Sequence, residues 1–144
     1  MLLKSLRIYL HKLILPVAIL FAYSDMAIGQ NLIGYNEQYI INYMKDNHSE
    51  MSYNGVTNNK FNYLKYSDSS DNQTILFFLD NKSVCSSMRM VCNYSIKNAK
   101  INEFNSIYES KDRYKWINNR DGKKYLIEMK DETWNCIVTI EPDK

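Results

Sequence analysis

Apolar residues that alternate with polar ones, or run together, predict most of this chain as β-strand. Residues 74–79 are the strongest strand candidate, because a short apolar run between two polar turns is typical of a buried strand. Residues 84–94 alternate with the period of two that strands show, so the two segments predict a hairpin that turns at residues 80–82. Further strands are predicted at about 51–53, 60–67, 113–118, 123–130 and 133–140, with Asn54-Gly55 as a tight turn before the second of these.

Helical spacing replaces the strand pattern in two places. Asn36 is positioned to cap a helix, and apolar side chains then recur at helical spacing over residues 37–47. A second helix is predicted from its cap at Asn98 to about residue 111, with Ile101, Phe104, Ile107 and Tyr108 on one face. The order helix, strands, helix, strands predicts an α+β domain, in which two helices pack on one face of an antiparallel sheet.

The period of two also predicts which side chains face the helices. They are Phe77, Met90, Cys92, Tyr125, Ile127, Met129, Trp134, Cys136, Val138 and Ile140. Two strands, at 60–67 and 74–79, are apolar at the opposite positions too, where an antiparallel sheet covered on one side usually carries polar residues. An exposed apolar patch marks an interaction surface, so Leu76, Phe78 and Tyr66 are the predicted contact residues. The alternatives are that a loop, the N-terminal segment or a second copy covers this face, or that these are central strands with few bare neighbours.

The first 29 residues predict an export signal. A basic start is followed by an apolar run at residues 13–21, and Ala27 and Gly29 supply small residues at the two positions that signal peptidase reads. The alternative, a retained anchor, is disfavoured because a membrane-spanning helix needs about 20 apolar residues. We therefore expect a signal peptide at residues 1–29 and a single α+β domain at residues 30–144. That domain would be exported to the periplasm or beyond, with membrane contact only through an uncleaved signal.

The charge balance argues against nucleic-acid binding. The whole chain has 18 basic and 16 acidic residues, and the predicted signal holds Lys4, Arg7, Lys12 and Asp25. Three of the 18 basic and one of the 16 acidic residues therefore leave with it, so 15 of each sign remain. A nucleic-acid surface normally needs clustered lysine and arginine, which the remaining sequence does not have.

Residues for common enzyme chemistry are scarce. His48 is the one histidine after the predicted signal, which excludes a multi-histidine metal site. A catalytic triad would have to use His48, which we expect to be exposed at the polar end of the first helix. The close carboxylate pairs, Asp68 with Asp71 and Asp131 with Glu132, fall in predicted turns. We therefore predict a non-enzymatic protein with no catalytic residues, no metal and no cofactor.

Three cysteines remain after the predicted signal, and an exported chain meets an oxidising compartment. Cys85 and Cys92 would lie about 23 Å apart in one strand, whereas a disulfide needs Cα atoms within about 7 Å. Cys92 and Cys136 fall on the same predicted face, so they form either a disulfide or two buried thiols. Cys85 is either a reactive, partner-linking thiol or a small half-buried residue.

Three segments carry a resemblance to known proteins. Ile33-Gly34 precedes the first helix, residues 77–85 turn from one apolar strand into a Val-Cys strand, and Trp116 precedes a closing pair of strands. Over residues 32–140 the chain resembles a loose group of small exported proteins without assigned function, common in Bacteroidetes-type bacteria. The resemblance implies a periplasmic or secreted α+β domain and supplies no catalytic residues.

These observations favour an exported, non-enzymatic domain that binds an envelope or extracellular protein partner through the face carrying Leu76 and Phe78. A second hypothesis is a secreted inhibitor or effector that uses the same face on a foreign protein. A third is a small enzyme with a site near His48.

Overall fold

A nine-stranded antiparallel sheet dominates the part of the chain that the structure describes. The computed structural model describes residues 30–54, 56–57 and 62–144. The predicted signal peptide and Gly55 of the predicted turn lie outside the described residues. The expected α+β class, an antiparallel sheet with two helices, is confirmed, and the sheet is larger than the seven strands predicted. Neither helix in these ranges combines the length and apolarity that a membrane crossing requires.

The helices and strands have the following bounds. The helices are α1 (Glu37–Asn47) and α2 (Lys97–Ile107), with a 3₁₀ turn at Tyr94–Ile96 before α2. The strands are β1 (Met51–Tyr53), β2 (Val56–Thr57), β3 (Asn62–Asp68), β4 (Gln73–Leu79), β5 (Cys85–Asn93), β6 (Glu109–Asp112), β7 (Lys115–Arg120), β8 (Lys123–Asp131) and β9 (Asn135–Pro142). Neighbours in the sheet follow the order β1-β3-β4-β5-β9-β8-β7-β6, and β2 also pairs with β3.

Helix α1 begins and ends where the sequence predicts. The Asn36 side chain accepts a hydrogen bond of 2.9 Å from the backbone N–H of Tyr39, which satisfies one of the free N–H groups of the first turn. Ile40 and Met44 lie one turn apart and are buried, so they attach the helix to the core.

Replacing Asn36 with Ala should lower the free energy of unfolding by about 1 kcal/mol, because the Tyr39 N–H loses its partner. Chemical denaturation of the full chain measures this loss. The matched control is Asn42→Ala, which removes an exposed hydrogen bond from Gln38 within the helix and should cost less than about 0.5 kcal/mol. Equal losses for the two variants would contradict the capping role of Asn36.

Helix α2 differs from its prediction at both ends. It begins at Lys97, and its N-cap residue Ile96 makes no side-chain hydrogen bond, so Asn98 lies inside the helix rather than capping it. The preceding 3₁₀ turn supplies the capping interaction instead, because the Asn93 side chain accepts from the N–H of Ser95. The chain leaves the helix at Tyr108, which is extended, and Ile107 is therefore exposed rather than directed inward.

Side-chain burial alternates along the strands and defines two faces of the sheet. The core face carries the buried positions, such as Ile75 and Phe77 in β4, and the outer face carries the half-buried positions between them. Nine of the ten predicted inward side chains are buried. Trp134 is the exception at 82% exposure, because β9 begins at Asn135 and Trp134 lies in the turn before it.

Two predicted turns also need correction. Strands β1 and β2 run in the same direction, because both pair antiparallel with β3, whereas the sequence predicts a tight turn at Asn54-Gly55, whose Gly55 lies outside the described residues. The connection between the strands predicted at 113–118 and 123–130 shortens to Asp121-Gly122, since β7 runs to Arg120. Both turn residues have positive φ, 52° and 72°, as a two-residue hairpin turn that follows the strand twist requires.

Candidate functional site

A stripe of apolar side chains crosses the outer face over four neighbouring strands. Tyr63 lies opposite Phe78 in the β3–β4 register, and Leu76 follows Phe78 on the same face of β4. Val91 lies diagonally beyond Leu76, and it faces Ile137 of β9 directly. All five side chains are half-buried. We call them the outer-face stripe.

Two cations border this stripe. Lys65 lies opposite Leu76 on one side and Arg89 lies opposite it on the other. The Arg89 guanidinium carbon is 5.7 Å from the centre of the Phe78 ring, which is within cation–π range. Within the described ranges, neither cation forms an ion pair with a carboxylate.

On the opposite half of the outer face, Glu128 forms ion pairs with two lysines. Glu128 lies 3.2 Å from the ammonium groups of both Lys130 and Lys115. Hydrogen bonds from these two lysines, Lys130 first, hold the pKa of the Glu128 carboxyl below its usual value.

Tyr66 does not share a face with Leu76 and Phe78, which corrects its predicted position. It is 3% exposed and pairs with Ile75 in the β3–β4 register, so its side chain belongs to the core face. Its ring meets that of Phe77 edge-on at 6.0 Å. The sequence did not reveal this because β3 carries apolar or aromatic residues at both odd and even positions, and the register of pairing decides which set is buried.

Tyr66 instead lines a small pocket at the edge of the core face. The pocket has a volume of about 330 Å³, and we call it the tyrosine pocket. Its lining residues come from the second half of α1, the segment after it, β1 and β3: Ile41, Lys45, Ser49, Met51, Tyr53 and Tyr66. The rings of Tyr53 and Tyr66 lie 5.2 Å apart. No sequence motif indicated this pocket, because its walls come together only in the folded chain.

His48 is buried, contrary to the prediction of an exposed ring. It is 3% exposed, follows the last residue of α1 and lies 5.8 Å from the ring of Tyr43. Its Nδ1 is 3.3 Å from a carboxylate oxygen of Glu50, two residues further on. Because this contact is between close sequence neighbours, it fixes the ring within the turn before β1.

Cys92 and Cys136 are direct cross-strand partners in the β5–β9 register, and both are completely buried thiols. Desolvation, followed by the neighbouring Cys136 thiol, raises the pKa of Cys92 to about 12. Burial likewise raises the pKa of Cys136. The pairing on one face agrees with the sequence prediction, and the bond itself stays a prediction.

Cys85 is a buried thiol rather than a half-buried one. It is 1% exposed, and desolvation raises its pKa to about 12. The thiolate is the reactive form of cysteine, so a protonated and enclosed Cys85 is poorly suited to link this chain to a partner.

Across the described ranges, no group of three or more histidine, cysteine, aspartate or glutamate residues could hold a metal ion. Comparison with known proteins gives no family model, no curated protein and no solved structure that matches the chain.

Proposed function

We propose that this chain is an exported, non-enzymatic domain that binds a protein partner through the outer-face stripe. The observation that carries the proposal is the stripe itself, five apolar side chains in register across four strands, beside Lys65 and Arg89, which form no ion pair with a described residue. Half-buried apolar groups next to charges resemble a protein interface, which combines an apolar centre with a polar rim.

The proposal includes the inference that both helices cover the core face and leave the outer face to the partner. Ile40 and Met44 of α1 and Phe104 of α2 belong to the same hydrophobic cluster as the buried positions of the strands. The N-terminal segment also lies on that side, because the N–H of Leu32 contacts the sulfur of Met88, a core-face residue.

The charges beside the stripe favour one kind of partner. Lys65 and Arg89 would gain most from carboxylates set around an apolar centre, since each has an uncompensated positive charge. We therefore expect a partner with an apolar patch bordered by aspartate or glutamate. Its binding should weaken with rising salt, because rim charges are screened.

The test begins with capture of partners by the tagged full chain in cells of its source, followed by titrations with the purified partner. The double variant Leu76→Ser/Phe78→Ser should weaken binding more than 10-fold, because the apolar contact is lost. The charge reversal Lys65→Glu/Arg89→Glu should also weaken it, mainly by slowing association.

The matched control is Lys123→Glu/Lys124→Glu, which reverses two exposed lysines where β8 begins. This variant should bind as the unaltered chain does. Equal affinity for all three double variants would refute the outer-face stripe as the binding surface. If Leu76→Ser/Phe78→Ser unfolds the chain, the Leu76 and Phe78 side chains serve the core. The charge-reversal variant then decides whether the outer-face stripe is the binding surface.

Export and the identity of the partner are tested in the same experiment. Recovery of a chain that begins at Gln30 from the periplasm or the medium would support the signal peptide and the resemblance to small exported proteins. A partner from the envelope of the same cell supports the leading hypothesis. A chain released to the medium that forms an ordered complex with a foreign protein supports the secreted inhibitor or effector instead.

A further inference from the structure

We propose that the tyrosine pocket binds a small carboxylate with an aromatic or branched apolar body. The pocket lies on the opposite side of the sheet from the outer-face stripe, so this site is separate from the proposed protein interface. The inference rests on the combination of an apolar cavity, a tyrosine hydroxyl that bonds to none of the described residues, and a lysine that forms no ion pair with any of them.

The walls are suited to a compact apolar group. Ile41 and Met51 offer aliphatic side chains, and Tyr53 adds an aromatic surface that is half-exposed at the edge of the pocket. The volume of about 330 Å³ lies at the lower end of the range found for small-molecule sites. A ligand of roughly one ring with a short side chain is therefore the size that the pocket accepts.

The Tyr66 hydroxyl gives the pocket a specific polar contact. Tyr66 is 3% exposed, and among the described residues its hydroxyl has no hydrogen-bond partner. A hydroxyl without a protein partner can bond to a ligand without losing a bond to the protein. Desolvation, then the neighbouring Tyr53, raises the pKa of Tyr66 to about 12, so the hydroxyl remains protonated and able to donate at neutral pH.

Lys45 sets the expected charge of the ligand. Its side chain is exposed, borders the pocket and forms no ion pair in the described part of the chain. An ammonium group and a donating phenol on one cavity both favour an anionic acceptor, and a carboxylate can accept from both at once. A cationic ligand of the same size would be repelled by the Lys45 ammonium group, and none of the residues that line the pocket carries a negative charge.

Phenylacetate is the probe for this site, measured by saturation-transfer NMR and calorimetric titration on the full chain. We expect saturable binding, with a Kd of roughly 1 mM or tighter. Phenethylamine, which has the same ring with a positive charge, should not bind. Absence of saturable phenylacetate binding, or equal binding of the amine, would overturn the proposal.

Two variants locate the binding to the tyrosine pocket. Tyr66→Phe removes one oxygen atom and should weaken phenylacetate binding about 5-fold, as expected for one lost hydrogen bond. Lys45→Met should weaken it by a similar factor. The controls are Tyr39→Phe and Lys82→Met, which change an exposed tyrosine and an exposed lysine outside the pocket and should bind normally.

Stability measurements separate a binding role from a structural one. Because the Tyr66 hydroxyl bonds to none of the described residues, Tyr66→Phe should leave the melting temperature unchanged or raise it. A fall in melting temperature together with unchanged phenylacetate affinity would show that the hydroxyl supports the fold and would overturn its binding role.

Discussion

Replacing Arg120 with Met should lower the free energy of unfolding by about 3 kcal/mol, since two carbonyl groups lose a charged donor. The Arg120 guanidinium donates hydrogen bonds to the carbonyls of Asn31 and Ile33 and lies between the rings of Tyr35 and Tyr125, 5.2 and 5.1 Å from their centres. It therefore holds the segment before α1 against the β7–β8 hairpin.

Urea unfolding measures the loss, and Arg113→Met is the matched control. Arg113 is exposed and lies 5.2 Å from the centre of the Tyr114 ring, so its removal should cost no more than about 1 kcal/mol. Arg120→Lys should recover only part of the stability, because a lysine cannot donate in the two directions of the guanidinium fork. The interpretation fails if Arg120→Met and Arg113→Met lose the same amount.

Hydrogen exchange provides a local readout of the same contact. The N–H of Gly34 donates to the carbonyl of Cys85 at 2.8 Å, which joins the N-terminal segment to the start of β5. In Arg120→Met this amide should exchange faster, whereas amides in the middle of β4 should keep their protection. Uniform acceleration would indicate global destabilisation rather than release of this segment.

The parts of the fold that local signals determine could be predicted from the sequence. Helix α1 has its cap at Asn36 and its buried residues one turn apart, and its predicted bounds agree with the structure. Strand β4 is a short apolar run between polar turns, and its burial alternates with a period of two throughout. In both segments the residues that indicate the element lie within it or next to its ends. No distant residue was therefore needed to predict the helix or the strand.

The parts that failed depend on residues far away in sequence. Helix α2 buries Lys97 and Lys100, and Lys97 is balanced by an ion pair of 2.5 Å with Asp131, 34 residues further on. This ion pair raises the pKa of Lys97, yet nothing near Lys97 in the sequence reveals the partner. Sequence periodicity alone therefore assigned the buried face of α2 to apolar residues such as Ile107.

The candidate site shows the same division. Leu76 and Phe78 were placed correctly together because residues two apart in a strand share a face. Tyr66 was placed on the wrong face because the sequence does not show the β3–β4 register, in which Tyr66 pairs with the buried Ile75. The β3–β4 register places Tyr66 on the core face, where it lines the tyrosine pocket. The residue that the sequence prediction assigned to the wrong face is therefore part of the second proposed site.

Refolding the reduced full chain with oxidised glutathione should join Cys92 and Cys136 in a disulfide. One thiolate attacks the glutathione disulfide and releases one glutathione, and the second cysteine then displaces the other. The protein thus loses two electrons and two protons, and one glutathione disulfide becomes two thiols. Directly opposed residues in an antiparallel pair have Cα atoms about 4.5 or 5.5 Å apart. Both distances lie within the range of about 4.4–6.8 Å between the Cα atoms of disulfide-bonded cysteines.

The bond should raise the free energy of unfolding by about 2–4 kcal/mol, because it closes a long loop between β5 and β9 in the unfolded chain. Alkylation and peptide mapping identify the bond, and unfolding with and without a reductant measures its effect. Cys85→Ser should keep both the bond and the stabilisation, whereas Cys92→Ser should lose them. A chain that retains three thiols, or a bond that includes Cys85, would contradict the prediction.

The timing and pH dependence of oxidation follow from burial. Burial holds the pKa of both thiols above the unfolded value of about 8.5. The native reduced chain should therefore resist glutathione, while the unfolded chain reacts. Since the unfolded thiols ionise first, the reduced protein should lose stability as pH rises above about 8.5. The disulfide removes these two ionisations, so the oxidised protein should lose less stability over the same pH range. Parallel pH curves for the two forms would show that the Cys92 and Cys136 thiols do not contribute to this loss.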